Sequence, residues 1–273
     1  MASPHHIAFI GGGNMASAIV GGLLKQGMPA AQIQIIEPLE AQRARLRQQF
    51  GTPVHDAPGL TLGSADLVVW AIKPQIFKDA ALQTRFHTRN ALHLSVAAGI
   101  RSDSIARWLG SQRIVRAMPN TPALVGQGMT ALFAREAVTA DDRLLVEQVV
   151  ATTGEHVWLD EETHLDAVTA LSGSGPAYVF YFIEAMVEAG MDMGLTPAQA
   201  RKLAIGTFAG SSALAKASDE APDVLRARVT SKGGTTYAAI TSMEQDRVKM
   251  LFMRAMHAAK QRARELGDEF GAA

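Results

Sequence analysis

The sequence predicts an α/β protein in two parts: an N-terminal domain on a mostly parallel sheet over residues 1–160, and an all-α domain over residues 161–273. Three observations carry this. Short apolar runs alternate with amphipathic ones through the first part, and a glycine-rich turn follows the first of those runs. Past Leu159 the strand signals give way to long stretches of Ala, Leu, Met, Glu and Lys. A chain of 273 residues also exceeds the ~250 at which a single core stops growing.

Buried strands are expected over 6–10, 32–36, 66–72, 91–97, 113–118 and 128–133, each a short apolar run with room for a helix before the next. Helical periodicity covers 16–26, 39–50, 101–109 and 140–151. A repeated β-then-α order implies parallel strands joined by right-handed crossovers. Gly27 and Gly110 follow two of these helices, where a left-handed residue is wanted and glycine takes it cheaply. In the second part, Thr196-Pro-Ala-Gln199 is a capping box with proline at the first helical position. The helix expected over 176–189 carries Tyr178, Val179, Phe180, Phe182, Ile183, Met186 and Val187, apolar around most of its circumference. Such a helix belongs in a core or a subunit interface, and so small a domain points to a partner chain.

Composition removes several functions. The 26 basic and 26 acidic residues give no surplus of positive charge for nucleic acid or anionic lipid. With no cysteine, there is no disulfide framework, thiolate metal site or cysteine nucleophile. The eight histidines show no H-x-x-x-H or H-E-x-x-H spacing, so no metal is expected. No stretch approaches the ~20 apolar residues of a membrane span, and Met1 to His6 lacks the charged and apolar regions of a secretory signal. A cytoplasmic protein acting on a small molecule is the expectation.

Ile7-Ala-Phe-Ile-Gly-Gly-Gly-Asn-Met-Ala16 reads as strand, G-x-G-x-x-A turn and helix start, the context in which this motif binds a dinucleotide. Gly11 permits the tight turn, Gly13 admits the pyrophosphate, and Ala16 lets the helix pack closely on the sheet. The domain is therefore expected to be Rossmann-like. Glu37 ends the second strand, where a carboxylate accepts from a ribose 2′-OH and repels a 2′-phosphate. Arg43 and Arg47 lie one helical turn apart just beyond, able to reach a 2′-phosphate but more simply a solvated helix face, so the nucleotide preference stays open. Ala71-Ile-Lys-Pro-Gln75 and Ser95-Val-Ala-Ala-Gly99 stand at carboxyl ends of strands, where open α/β sheets bind ligands; Lys73 is placed to contact the ribose, and the small residues let a flat nicotinamide lie close.

Two clusters remain: Leu171-Ser-Gly-Ser-Gly-Pro-Ala-Tyr178, with Ser174 and Gly175 at its centre, and Val229-Thr-Ser-Lys-Gly-Gly-Thr-Thr236. Both read as hydroxyl- and glycine-rich loops before helices, able to cup a carboxylate or phosphate with backbone N–H groups. With Val115-Arg-Ala-Met-Pro-Asn-Thr-Pro-Ala123 they complete a set of motifs whose order and spacing resemble those of the pyrroline-5-carboxylate reductases, over nearly the whole chain.

The resemblance implies an oxidoreductase that reduces Δ1-pyrroline-5-carboxylate to L-proline, the last step of proline biosynthesis, with NADPH as the usual cofactor and NADH open because of Glu37. It implies a homodimer through interlocked C-terminal helices, and a larger ring of dimers as a further assembly. By the same resemblance Gly11, Gly13, Asn14, Met15, Ala16, Ala71, Lys73, Pro74, Val96, Ala97 and Ala98 hold the cofactor. Ser231, Gly233, Gly234 and Thr235 hold the substrate carboxylate through their amides, and the Thr236 hydroxyl reaches the ring nitrogen. Lys232 stands where many members have proline, and Glu37 where many have Ser, Thr or Arg. Two other readings were weighed: a β-hydroxyacid dehydrogenase using Lys202, which lacks that class's flanking glycines and asparagine, and a dinucleotide-sensing module, which has no need of an anion-binding loop.

Overall fold

The protein is described by a computed structural model covering residues 5–271; the first four residues, part of the segment inspected for a secretory signal, and the last two lie outside the described residues. Among the described residues there are eight strands: β1 Ile7–Ile10, β2 Ile33–Ile36, β3 Val54–His55, β4 Leu67–Trp70, β5 Leu92–Ser95, β6 Ile114–Met118, β7 Gly128–Ala134 and β8 Gly154–Trp158. They form one sheet in the order β3-β2-β1-β4-β5-β6-β7-β8. Every pairing is parallel except β6 with β7. The segment between those two is too short for a helical crossover, so the chain doubles back.

The central strands β1, β4 and β5 are buried at every position, as a sheet covered on both faces requires. Their alternate residues feed two cores. Ile7, Phe9, Val69 and Leu94 pack with Ile19 and Val20 of α1 (Asn14–Lys25) and Val146 of α5 (Ala140–Val150). Ala8, Ile10, Val68 and Trp70 pack with Phe77 of α3 (Phe77–Thr84) and Ile105 and Trp108 of α4 (Ser102–Leu109). The remaining helix of this sheet is α2 (Glu40–Phe50). Gly27 and Gly110 adopt φ of +91° and +68°, the left-handed residues expected after α1 and α4. Three elements were not expected. β3 has two residues, α3 only eight, and β8 carries Glu155 and His156 in a half-exposed edge strand.

One polar pair sits in the second core. His93 of β5 is buried, and its Nδ1 accepts from Trp70 Nε1 at 3.2 Å. Burial, helped by the Arg113 charge, pushes the imidazole down to about 4 from its ordinary 6.5. Between those values the unfolded chain binds the proton and the folded chain does not, so stability falls as pH falls through this window. Unfolding free energy should drop by about 2 kcal/mol from pH 7 to pH 5 through this residue alone. His93→Gln, which keeps an acceptor for Trp70, should remove that share of the slope in urea titrations at the two pH values; an unchanged slope would mean the imidazole titrates normally.

The helical part contains α6 (His164–Val168), α7 (Gly175–Asp192), α8 (Pro197–Lys216), α9 (Pro222–Arg228), α10 (Thr235–Gln245) and α11 (Val248–Gly271). The chain divides into two compact units, one running to Ser174 and resuming at Ala259, the other Gly175–Ala258. α11 belongs to both. Among the described residues of the second unit only Gly190, Ala200 and Ala204 are buried, where α7 and α8 cross closely. α8 opens with the expected capping box: Gln199 N–H donates to Thr196 Oγ1 at 3.3 Å, and Thr196 N–H to Gln199 Oε1 at 2.9 Å. Within a single chain α7 leaves Phe180 and Tyr181 64% and 69% exposed. No helix among the described residues is long and apolar enough to cross a membrane.

The segment expected as a loop over 171–175 is helical instead. A π-helical turn, Thr169–Gly173, runs from α6 directly toward α7, and the Ser174 amide donates to Thr169 O at 2.8 Å. That amide is therefore spent within the backbone. Such single-turn π segments often mark functional positions in helices.

Candidate active site

The glycine turn is built by the close approach of three strand ends. Gly11 has φ +95°, and its N–H donates to Ile36 O at 2.8 Å, tying the end of β1 to β2. A β-carbon there would lie 2.6 Å from both Ala71 O and Ile72 Cγ2, at the end of β4. Only glycine accommodates that conformation and contact together. Gly12 is wedged against Leu46 of α2. Gly13 differs: a β-carbon on it would meet nothing within 4 Å, so the space above it is open to a ligand.

Gly13 is the N-cap of α1 and brings no side chain to the helix start, and no acidic residue stands in the first turn. The first-turn N–H groups and the positive end of the helix are left for an external anion. At two other helices of the sheet unit the protein occupies such donors itself: Thr139 and Asp142 cap α5 reciprocally, and Glu162 Oε1 accepts from Ser102 N–H at the start of α4 at 2.6 Å. Asn14 is exposed, Met15 half-buried, and Ala16 fully buried against the sheet, as close helix packing requires.

The other expected cofactor residues gather along the same edge. Ala71 N–H donates to Ile10 O at 2.9 Å and Val96 N–H to Trp70 O at 3.1 Å, placing the ends of β1, β4 and β5 side by side. Lys73 is exposed, and Pro74 begins a short 3-10 turn after it. The Ala97 side chain is buried in the second core, so that residue offers a ligand its backbone; Val96 and Ala98 are half-exposed.

Glu37 is buried, with 8% exposure. Its Oε2 accepts from Gly12 N–H and its Oε1 from Leu39 N–H, each at 3.0 Å. Gln42 Nε2 donates to Gly12 O at 2.6 Å, so both backbone groups of Gly12 are held by side chains. Helical spacing alone did not mark Gln42. Of the two arginines expected on a solvated helix face, Arg47 is exposed and Arg43 is largely covered. Arg43 Nη1 donates to Glu37 O at 3.0 Å and Pro38 O at 2.6 Å while its Nη2 pairs with Glu40, and Arg47 Nη2 donates to Val54 O at 2.7 Å.

At the end of β6, Asn120 accepts from Met129 N–H at 2.9 Å and donates Nδ2 to Ser172 O and Oγ, each at 3.3 Å. It fastens the π turn to the sheet, a role not visible in the Pro-Asn-Thr-Pro motif alone. Gly173 lies where a β-carbon would strike Met118. Gly175 is half-exposed with open space at its α-carbon.

In the second unit, Gly234 N–H donates to Ser231 O at 3.0 Å, closing a turn whose third residue, Gly233, has φ +76°. This is the dihedral sign of a type II turn, whose second position favours proline and here holds Lys232. Gly234 then caps α10 without a side chain, as Gly13 caps α1. The amides of Thr235 and Thr236 head that helix, where a carboxylate is favoured. Ser231, Gly233 and Thr235 are exposed, and Gly234 and Thr236 half-buried.

Along its whole length the chain is 42% identical to a pyrroline-5-carboxylate reductase from Pseudomonas aeruginosa, covering 99% of this chain and 100% of that one. The chain belongs to the pyrroline-5-carboxylate reductase family. Residues 162–266 match the family described as pyrroline-5-carboxylate reductase dimerisation, and residues 6–99 that described as NADP oxidoreductase, coenzyme F420-dependent. Among solved structures, the reductase of Coxiella burnetii superposes with a TM-score of 0.91 at 37% identity, covering 97% of this chain and 99% of that one. The Plasmodium falciparum reductase, solved with NADP bound, gives 0.87 at 27% identity, with 98% and 100% covered. The reductase family thus accounts for both the Rossmann-like sheet and the helical part, and makes this chain an NAD(P)H-dependent oxidoreductase whose C-terminal helices serve oligomerisation.

Proposed function

We propose that the protein reduces the C=N bond of Δ1-pyrroline-5-carboxylate to give L-proline, with residues 1–160 holding the nucleotide and 161–273 the substrate and the subunit contact. The observation that carries this reading is the presence, in one reductase-family chain, of two helix starts with a glycine N-cap and no side-chain cap: α1 at the glycine turn and α10 at the Ser231–Gly234 turn. When bound, the reduced nicotinamide supplies the hydride that the imine carbon accepts as its electron pair passes to nitrogen.

The chain's own residues hold, orient and protonate. Gly11, Gly13, Asn14, Met15 and Ala16 seat the pyrophosphate, and Ala71, Lys73, Pro74, Val96, Ala97 and Ala98 the rest of the nucleotide. Ser231, Gly233 and Thr235 bind the substrate carboxylate through N–H groups, while the Gly234 amide expected among them is held by Ser231 O within the turn, and Ser174 and Gly175 also contact the substrate. The Thr236 hydroxyl hydrogen-bonds the ring nitrogen and steadies the proton that makes the imine electrophilic. Fixing two reactants in near-attack geometry contributes ~7 to 11 kcal/mol in favourable cases, so positioning is the protein's main share.

The functional particle is a homodimer through the C-terminal helices, assembling further as a ring of dimers, and its compartment is the cytoplasm. Support for the dimer comes from the exposed apolar face of α7 and from a groove in the helical unit lined by Phe182, Met186, Phe208, Ile240 and Phe252. The test is loss of reduced-nicotinamide absorbance with pyrroline-5-carboxylate, for the native chain and Thr236→Ala. Native turnover is expected, with kcat lowered about 10²-fold by the substitution and nucleotide affinity unchanged. No native turnover would overturn the activity; a variant with normal kcat and weakened nucleotide binding would overturn the role of Thr236.

A further inference from the structure

We infer that Glu37 makes this chain select NADH over NADPH. The inference rests on the reading of the glycine turn as the nucleotide cradle, and goes beyond it by naming the residue that chooses the nucleotide. Three features of the β2 end support it.

The first is that the carboxylate is immobilised. Its two oxygens accept one each from the Gly12 and Leu39 N–H groups, at 3.0 Å, in a residue 8% exposed. An exposed glutamate can swing away from an incoming anion. This one would have to abandon two backbone hydrogen bonds and leave the buried Gly12 N–H unpaired.

The second is that the carboxylate still has work it can do. Each oxygen has two acceptor directions and only one amide donor, so a further hydroxyl can be accepted. The end of the second strand beside the glycine turn is where a dinucleotide fold meets the adenosine ribose. A 2′-OH donates to such a group, whereas a 2′-phosphate brings only acceptors and a second negative charge.

The third is that the cation beside Glu37 is spoken for. A 2′-phosphate needs arginine or lysine donors. Arg43 and Arg47 are the two that the sequence puts nearby: Arg43, 12% exposed, donates inward to Glu37 O and Pro38 O and pairs with Glu40, while Arg47 donates to Val54 O from a side chain 49% exposed. The β2 end therefore presents a fixed anion with Arg43, the cation bonded to its own strand end, turned to the backbone.

The test is direct binding without substrate: calorimetric affinities of the full-length protein for NADH and NADPH, and for 5′-AMP and 2′,5′-ADP, with Glu37→Gln alongside. NADH should bind at least about 30-fold tighter than NADPH, since like charges brought together are costly. The 5′-AMP to 2′,5′-ADP ratio should show the same preference, placing its origin at the 2′ position. Glu37→Gln keeps the side chain's size and an acceptor, and should bring the NADH to NADPH ratio within about threefold, chiefly by tightening NADPH. Equal affinities in the native protein, or a preference for NADPH, would overturn the inference while leaving the cradle intact. A ratio unchanged in the folded variant would overturn it too, by placing selection elsewhere. If the variant does not fold, the native nucleotide and fragment ratios decide. Binding of neither dinucleotide by folded protein would overturn the cradle and this inference with it.

Discussion

Gly11→Ala is expected to weaken dinucleotide binding by about 10²-fold and to destabilise the sheet unit by about 3 kcal/mol. Both effects have one origin. At φ +95° the new methyl group would lie 2.6 Å from the Ala71 carbonyl oxygen and from Ile72 Cγ2, inside contact distance of a backbone that cannot move alone. The turn must open, and with it the bond from Gly11 N–H to Ile36 O and the start of α1 that receives the pyrophosphate. Gly13→Ala separates the two consequences. Gly13 has an ordinary φ of −73° and no atom within 4 Å of a built β-carbon, so its folding stability should be nearly unchanged. A methyl group there occupies only the space a ligand would use. Fluorescence titration with reduced nucleotide and urea unfolding of both variants make the comparison. Normal nucleotide affinity in Gly13→Ala would show that the open space above it is not the pyrophosphate site.

Gly154→Ala should cost about 4 kcal/mol, a large part of the 5 to 15 that hold a typical domain together. Gly154 faces Gly128 at the first register position of β7 with β8, and Gly128 N–H donates to Thr153 O at 2.8 Å beside it. A β-carbon on Gly154 would collide with Gly128 O and lie 2.5 Å from Gly128 N, at a φ of +143° that other residues rarely adopt. The partner cannot retreat, because a β-carbon's worth of space at Gly128 is itself closed by Ala123 Cα and Thr153 O at 2.9 Å. The check is a shift of the urea midpoint at constant slope. A loss below about 1 kcal/mol would mean that β8 parts from the sheet locally without strain elsewhere.

What the sequence made legible follows from what periodicity and turn chemistry encode. The fully buried β1, β4 and β5 announce themselves as continuous apolar runs, and the glycines of the first turn by their spacing. β8 does not, because its inward positions are Gly154, His156 and Trp158 while Val157 is exposed. The apolar helix over 176–189 was read as one that must be covered; in the single chain much of it is open, which is the same statement seen from one subunit. Glu37 was legible as a residue in the right place. That it is clamped by Gly12 and Leu39, that Gln42 holds the other side of Gly12, and that Arg43 turns inward are facts of three-dimensional hydrogen bonding with no sequence period behind them. From Leu171 serine and glycine favour a loop, yet the chain continues the π turn of Thr169–Gly173, and the approach of Asn120 and Met118 shows why a helix persists there.

The division of α11 between the two units bears on the order in which the protein can be made. The sheet unit is not one continuous stretch of chain. Arg101 pairs with Asp268, 167 residues later, Arg107 donates to Gly271 O, and Gly99 packs its bare α-carbon against Leu266 and Phe270. During synthesis the strands and crossovers emerge first, yet the α4 side of the sheet stays unsealed until the far end of α11 arrives. Loop closure over so long a separation adds only slowly to the entropic cost, but it must wait for the ribosome. The helical unit is thus produced while its predecessor is still incomplete, and the closing turns of α11 complete the sheet unit last.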